Sequence, residues 1–333
     1  MMSAIDRDNL RKCYAAGQRN FVAVNLTGIS LERVDLTAAD LTRAILNSVD
    51  LTRAVLIQTN LRNASLYSAN LSYAKLNRAN LSGADLTKAN LKGATLVGAD
   101  LREARLSGAI LTGVNMRSAN LAGVNLCGAD LRGINLRSAD LTGANLNWAN
   151  LSGARLSGAQ LDGASLIGVK LSDAFLNGVD LQGVDLDGVN LSGARLSGAN
   201  LTSANLTAAN LSHTQLRVAY LMRSNLHAAD LSAADLRRSD LSAANLSQAN
   251  LGQADFSEAD LTGAALNSAN LFKANFNRAC LREAYLWGAK LIGTNLQQAN
   301  LTKASLRGGA LDEAKQQAVV FTGAIMPDGK VHS

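Results

Sequence analysis

The sequence is poor in most of what builds an ordinary globular domain. One proline, two tryptophans and 4% aromatic residues among 333 leave too few large rings for a mixed hydrophobic core. No apolar run approaches the ~18 residues of a bilayer span, so no segment is expected to cross a membrane. The opening stretch Met1-Met2-Ser3-Ala4-Ile5-Asp6-Arg7-Asp8 carries acids where an export signal needs basic and then apolar residues. The cysteines Cys13, Cys127 and Cys280 are odd in number and lack metal-ligand spacing, which suits a reduced, cytoplasmic compartment. Disorder is excluded by abundant leucine and a net charge of only +6, since such a chain has apolar surface to bury.

What is present is a repeat. From Leu26 to Met326 every fifth residue is large and apolar, 61 positions in all, of which 55 are Leu and only Gln316 is polar. The residue two before each central position (i−2, taking the centre as i) is small, mostly Ala, and the residue between them is often Asp or Asn. A period of five fits neither a helix nor a strand. It fits a chain that points inward at i−2 and i and then turns a corner. Four such sides close a 20-residue coil, and coils stack as short parallel strands ~4.8 Å apart. Glycine supports the corner: 24 of the 28 glycines lie at i+2, where a turn needs positive φ. Between residues 83 and 198, 18 of 24 such positions are Gly, and between 203 and 258 none of 12 is. That shift predicts a change of turn type near residue 200.

Repeats such as Ala199-Asn200-Leu201-Thr202-Ser203 follow an A(D/N)LXX pattern that resembles the pentapeptide repeat family. The resemblance implies an all-β fold, a right-handed quadrilateral parallel β-helix, here of about 15 coils at 20 residues each. The ends, Tyr14-Ala15-Ala16-Gly17-Gln18-Arg19-Asn20-Phe21 and Gly323-Ala324-Ile325-Met326-Pro327-Asp328-Gly329-Lys330, resemble those of cyanobacterial members. This implies a link to heterocyst differentiation.

A solenoid must cover its terminal coils. Ser3 and Asp6 form an S-x-x-D helix start, Leu10, Cys13 and Tyr14 share a face, and Gly17 ends the helix. The expected layout is a short N-terminal capping helix in residues 1–20, the β-helix in 21–326 and a tail in 327–333. Met326-Pro327-Asp328-Gly329 reads as a terminating turn. The break at Gln316 predicts a bulge or short helix over 312–320.

No catalytic constellation emerges. His213, His227 and His332 lack companions at metal-ligand spacing, no phosphate-cradling glycine loop precedes a helix, and the Asp and Asn at i−1 read as a structural hydrogen-bonding column. An enzyme, a cofactor and a metal are therefore not expected. Sorting outward residues by wall, 20 residues apart, gives one basic wall. It carries Lys75, Arg78, Arg117, Arg137, Arg155, Arg195, Arg217, Arg237, Arg238, Arg278 and Lys315 against Asp35, Asp235, Asp255 and Glu258, a net +7. Such a stripe suits an acidic protein surface or, less well for want of interleaved aromatics, a phosphate backbone. A second candidate surface is Phe272, Tyr285, Trp287 and Ile292, outward apolar residues that either bind a protein or lie beneath the C-terminal tail. The expected function is a non-catalytic, monomeric interaction scaffold with a protein partner, without nucleic acid or membrane. The family resemblance also raises a gyrase-binding DNA mimic, which the positive charge opposes.

Overall fold

The computed structural model describes residues 6–333. The chain forms two compact units, Met1–Lys170 and Leu171–Ser333. Both are solenoids whose bridges pair residue n with residue n+20 in parallel. They run from Asn20↔Asp40 to Asn150↔Lys170 in the N-terminal unit and from Phe175↔Arg195 to Ser305↔Ile325 in the C-terminal unit. Each 20-residue circuit contains four turns.

The sequence pattern follows from where five backbone amides must go. The amide of i donates to the carbonyl 19 residues later (Leu56 N to Lys75 O, 2.7 Å), and so does that of i+2 (Gln58 N to Asn77 O, 3.0 Å). The amide of i−1 donates to the preceding coil (Lys75 N to Ala54 O, 2.9 Å), and that of i+3 closes the turn onto i (Ala64 N to Leu61 O, 3.0 Å). Only the i+1 amide is out of reach of a backbone carbonyl. The Asp or Asn at i−1 accepts it, as Asn60 Oδ1 does from Arg62 N at 3.2 Å. Asparagine does more, because its Nδ2 also donates to the side chain one coil earlier. Asn250 donates to Asp230 and Asn270 to Asn250, each at 2.9 Å. The hydrogen-bonding column read from the sequence is therefore present.

At four positions where i−1 is unsuitable, an Asn at i+1 of the preceding coil takes over. Asn77 accepts from Val97 N, Asn147 from Ile167 N, Asn177 from Ser197 N and Asn267 from Trp287 N, at 2.9–3.2 Å.

The central residues and their small i−2 neighbours form the core, with Leu56, Leu96 and Leu206 fully buried. In the C-terminal unit Phe256 and Phe276 stack in parallel on successive coils, with centroids 4.7 Å apart. Hydroxyls that replace Ala at i−2 stay paired, as when Thr59 and Thr294 donate to the carbonyls of Leu36 and Leu271.

All 61 turns from Ala23 to Gly323 place a left-handed residue at i+2, with φ of 52–62° for side-chain-bearing residues and 62–72° for glycine. The turn type does not change near residue 200: Ser203, His213 and Glu258 stay in the left-handed region that the glycines before them occupy. An L-residue there costs ~1–2 kcal/mol, less than the roughly 1.5–3 kcal/mol gained by burying each leucine, so burial sets the geometry and the strain is tolerated. At some positions glycine answers to space instead. A Cβ on Gly168 would fall within 2.3 Å of the Trp148 ring, and one on Gly93 within 2.6 Å of Tyr73. Aromatic side chains at i+2 lie across the next coil there.

Helix α1 (Arg7–Ala15) starts at Asp6, whose side chain accepts from Asn9 N at 2.8 Å. Ser3, the expected start, lies outside the described residues. Leu10 is fully buried and the Tyr14 hydroxyl donates to Thr37 O. Gly17, at φ 93°, ends the helix.

Residues 312–320 neither bulge nor form a helix. Glu313 and Ala318 keep the left-handed turn, and Lys315 and Val320 keep their bridges to Asn295 and Asn300. Gln316 is exposed, so no desolvation penalty disturbs the phase. Beyond the Met326 turn the chain reverses, with an antiparallel bridge between Ile325 and Val331 and the His332 ring 5.5 Å from that of Phe321.

The amide ladder makes one prediction. Asn270→Asp sets a carboxylate against Asn250 Oδ1, which is fixed because Asn250 Nδ2 donates to Asp230. A lost and repelled hydrogen bond of about 1–2 kcal/mol lowers the thermal midpoint by a few degrees. An unchanged midpoint contradicts the ladder.

Candidate functional site: an outer surface sorted by local ion pairs

Outward side chains come from i−1, i+1 and i+2, and their neighbours decide whether a charge is free. Three sequences Asp-Leu-Arg place an acid at i−1 and an arginine at i+1 on the same wall: Asp100/Arg102, Asp130/Arg132 and Asp235/Arg237. Each closes a two-pronged fork. Arg237 Nε and Nη2 donate to Asp235 Oδ1 and Oδ2 at 2.7 and 2.6 Å, and Arg102 and Arg132 repeat the geometry. The arginine hydrogen bonds hold all three carboxylates below the ordinary range, and Asp235 in turn raises the Arg237 guanidinium.

This geometry divides the predicted basic wall. In the C-terminal unit Arg237 is forked to Asp235 and lies 3.7 Å from Asp255, and Arg238 pairs with Glu258 at 2.8 Å. Arg195 stacks over Phe175 at 4.7 Å. Arg278 donates to Gln298, and Arg217 is exposed but contributes to the lowering of Asp235. In the N-terminal unit Arg117 and Arg137 follow Asn115 and Asn135, which accept their backbone amides but offer no charge. Arg117, Arg137, Arg155, Lys75 and Arg78 are all exposed. Among the described residues none of these five has a carboxylate within ion-pair distance. The stripe is therefore not equivalent along its length: Arg237 and Arg238 are paired with acids of the same wall. Counting charge by wall missed this, although the Asp-Leu-Arg spacing carried the signal.

The apolar candidates are uncovered: Phe272, Tyr285, Trp287 and Ile292 are 39, 56, 62 and 37% exposed. The C-terminal tail packs against Phe321 and Ala324 instead, with His332 N donating to Ala324 O. Lys273 lies 4.9 Å over the Phe272 ring.

Among the described residues no group of His, Cys, Asp and Glu is placed to hold a metal ion, and no helix is long and apolar enough to cross a membrane. A polar hollow of about 320 Å³ lies between Arg62, Asn80, Ser82, Gly83, Arg102 and Glu103, where Arg102 is already committed to Asp100.

The profile of Pentapeptide repeats matches in eight copies, over residues 20–56, 44–83, 79–118, 119–158, 159–198, 199–238, 239–278 and 279–315. The chain belongs to the pentapeptide repeat family. Among solved structures of similar chains, HetL from the cyanobacterium Nostoc sp. strain PCC 7120 is a pentapeptide repeat protein involved in heterocyst differentiation regulation. It is 32% identical over 98% of this chain and 100% of its own, with a TM-score of 0.19. Rfr23 from the cyanobacterium Cyanothece 51142 is 29% identical over 50% of this chain and 98% of its own, with a TM-score of 0.21. QnrB1, a plasmid-mediated fluoroquinolone resistance protein, is 19% identical over 74% of this chain and 92% of its own, with a TM-score of 0.24. No curated protein sequence matches.

The forks give the surface an acid-side signature. A carboxylate held below its unfolded value of about 3.9 stabilises the fold above that pH, and the contribution fades as pH falls through the folded value. The thermal midpoint therefore drops below about pH 4. In an Arg102→Gln, Arg132→Gln, Arg237→Gln variant the drop is shallower. Identical slopes in thermal melts across pH 2–7 contradict the forks' role.

Proposed function

We propose that this pentapeptide repeat protein is a non-catalytic interaction scaffold that acts in regulation by presenting rigid walls to a protein partner. In this reading it is a cytoplasmic monomer whose residues 21–326 make about 15 right-handed coils of 20 residues, with α1 covering the first coil of the N-terminal unit and the C-terminal hairpin the last coil of the C-terminal unit. Backbone donors spent inside the ladder leave side chains to carry recognition.

One observation carries the reading: four large apolar side chains remain 37–62% exposed at Phe272, Tyr285, Trp287 and Ile292, with the tail packed elsewhere. Exposed aromatic clusters edged by cations have the composition of binding hot spots. The 32% identity to HetL over nearly the whole chain supports a role in cyanobacterial cell differentiation. A DNA mimic requires a strongly negative surface, and a net charge of +6 opposes it.

Co-purification from native lysate tests the reading, with the recovered proteins identified by mass. A Phe272→Ser, Trp287→Ser variant of unchanged thermal midpoint loses at least tenfold of the captured partner. Equal recovery by both proteins removes this patch as the contact.

A further inference from the structure

We propose that the unpaired basic file of the N-terminal unit is a docking line for an acidic, extended protein segment. The proposal rests on the scaffold reading and adds a site and a partner chemistry to it.

Lys75, Arg78, Arg117, Arg137 and Arg155 stand on one wall of this unit, on the coils centred at Leu76, Met116, Leu136 and Leu156. Their neighbours along the file are small or neutral: Thr95, Gly98, Asn115, Ser118, Asn135, Ser138 and Ser157. Asp35 is the single acid at an outward position of that wall in the described part of this unit, and it lies two coils before Lys75. Elsewhere in the molecule arginines at i+1 are quenched where Asp stands at i−1, by the forks at Arg102, Arg132 and Arg237. Here i−1 is Asn115 or Asn135. These asparagines hold the backbone amide and link to each other through Asn135 Nδ2 and Asn115 Oδ1 at 3.2 Å. The ladder is kept and the charge is left open. Side chains anchored to a rigid backbone in this way need little ordering to meet a partner.

The geometry selects among polyanions. Four coil steps at ~4.8 Å carry the file over about 19 Å, the length of roughly six extended residues. Lys75 and Arg155 stand at i−1, Arg117 and Arg137 at i+1 and Arg78 at i+2, so the cations keep within the width of one wall, which suits a single acidic strand. Nucleic acid is disfavoured because sequence-tolerant binding to single strands needs aromatic platforms beside the cations. Tyr67, Tyr73 and Trp148, the exposed rings of this unit, stand on other walls.

Fluorescence anisotropy on the full chain tests the proposal, with a labelled oligo-glutamate peptide of twelve residues and, separately, a labelled 20-base-pair duplex as probes. At 50 mM salt the peptide binds wild type and is released as salt rises. Arg117→Gln, Arg137→Gln, Arg155→Gln weakens binding at least tenfold. Arg237→Gln, Arg238→Gln, whose cations are already paired, changes it less than twofold. The first variant keeps the wild-type thermal midpoint, and the second, which loses the Asp235 fork, stays folded at the assay temperature with a slightly lower one. Three outcomes overturn the proposal: no peptide binding at 50 mM salt, equal losses in the two variants, or tighter binding of the duplex through the same three arginines, which assigns the file to a phosphate backbone. Failure here leaves the Phe272/Trp287 test of the scaffold reading standing.

Discussion

The structure depends on one amide per pentapeptide. Four of every five backbone N–H groups find carbonyls in the turn or in a neighbouring coil, and the fifth, at i+1, does not. An unpaired amide costs on the order of 1–3 kcal/mol when shielded from water, and the repeat supplies a short polar acceptor at i−1. Leucine makes the coil close, but Asp and Asn make it close with its hydrogen bonds satisfied. The substitution of Asn77, Asn147, Asn177 and Asn267 for an absent i−1 acceptor shows the same requirement met from another position.

That constraint reaches the surface. Asparagine at i−1 both accepts and donates, so it propagates the ladder without charge. Aspartate only accepts, and its second oxygen is then free to capture an arginine at i+1. The choice between the two residues therefore sets the electrostatic character of each wall while the fold stays the same. Arg137 behind Asn135 remains an open cation, and Arg237 behind Asp235 does not.

Much of this was legible in the sequence. The period fixes the inward residues from Leu26 onward, the small i−2 positions follow from the space inside, and Met326-Pro327-Asp328-Gly329 announces the reversal. The change of turn type expected near residue 200 is absent because glycine frequency does not report φ in this repeat. Every i+2 residue from Ala23 to Gly323 is left-handed, and at Gly93 and Gly168 glycine makes room for Tyr73 and Trp148 from the coil before. The polar Gln316 does not force the bulge or short helix expected over 312–320, because its side chain is exposed and the phase continues through it. The basic wall was found by counting, but its division required the two-residue geometry of Asp-Leu-Arg. The uncovered state of Trp287 required knowing where the tail goes, since both ways of hiding apolar surface satisfy the same physics.

The most direct test is amide hydrogen exchange at residue resolution. The account predicts slow exchange at i−1, i and i+2 throughout the interior coils. At i+1 it predicts slow exchange only where a side chain accepts, as at Arg62, Val97 and Trp287. Ile57, Asn77 and Ser107, whose amides meet no acceptor among the described residues, exchange fast. Equal protection at these two sets of residues, or protection recurring at an interval other than five, contradicts it.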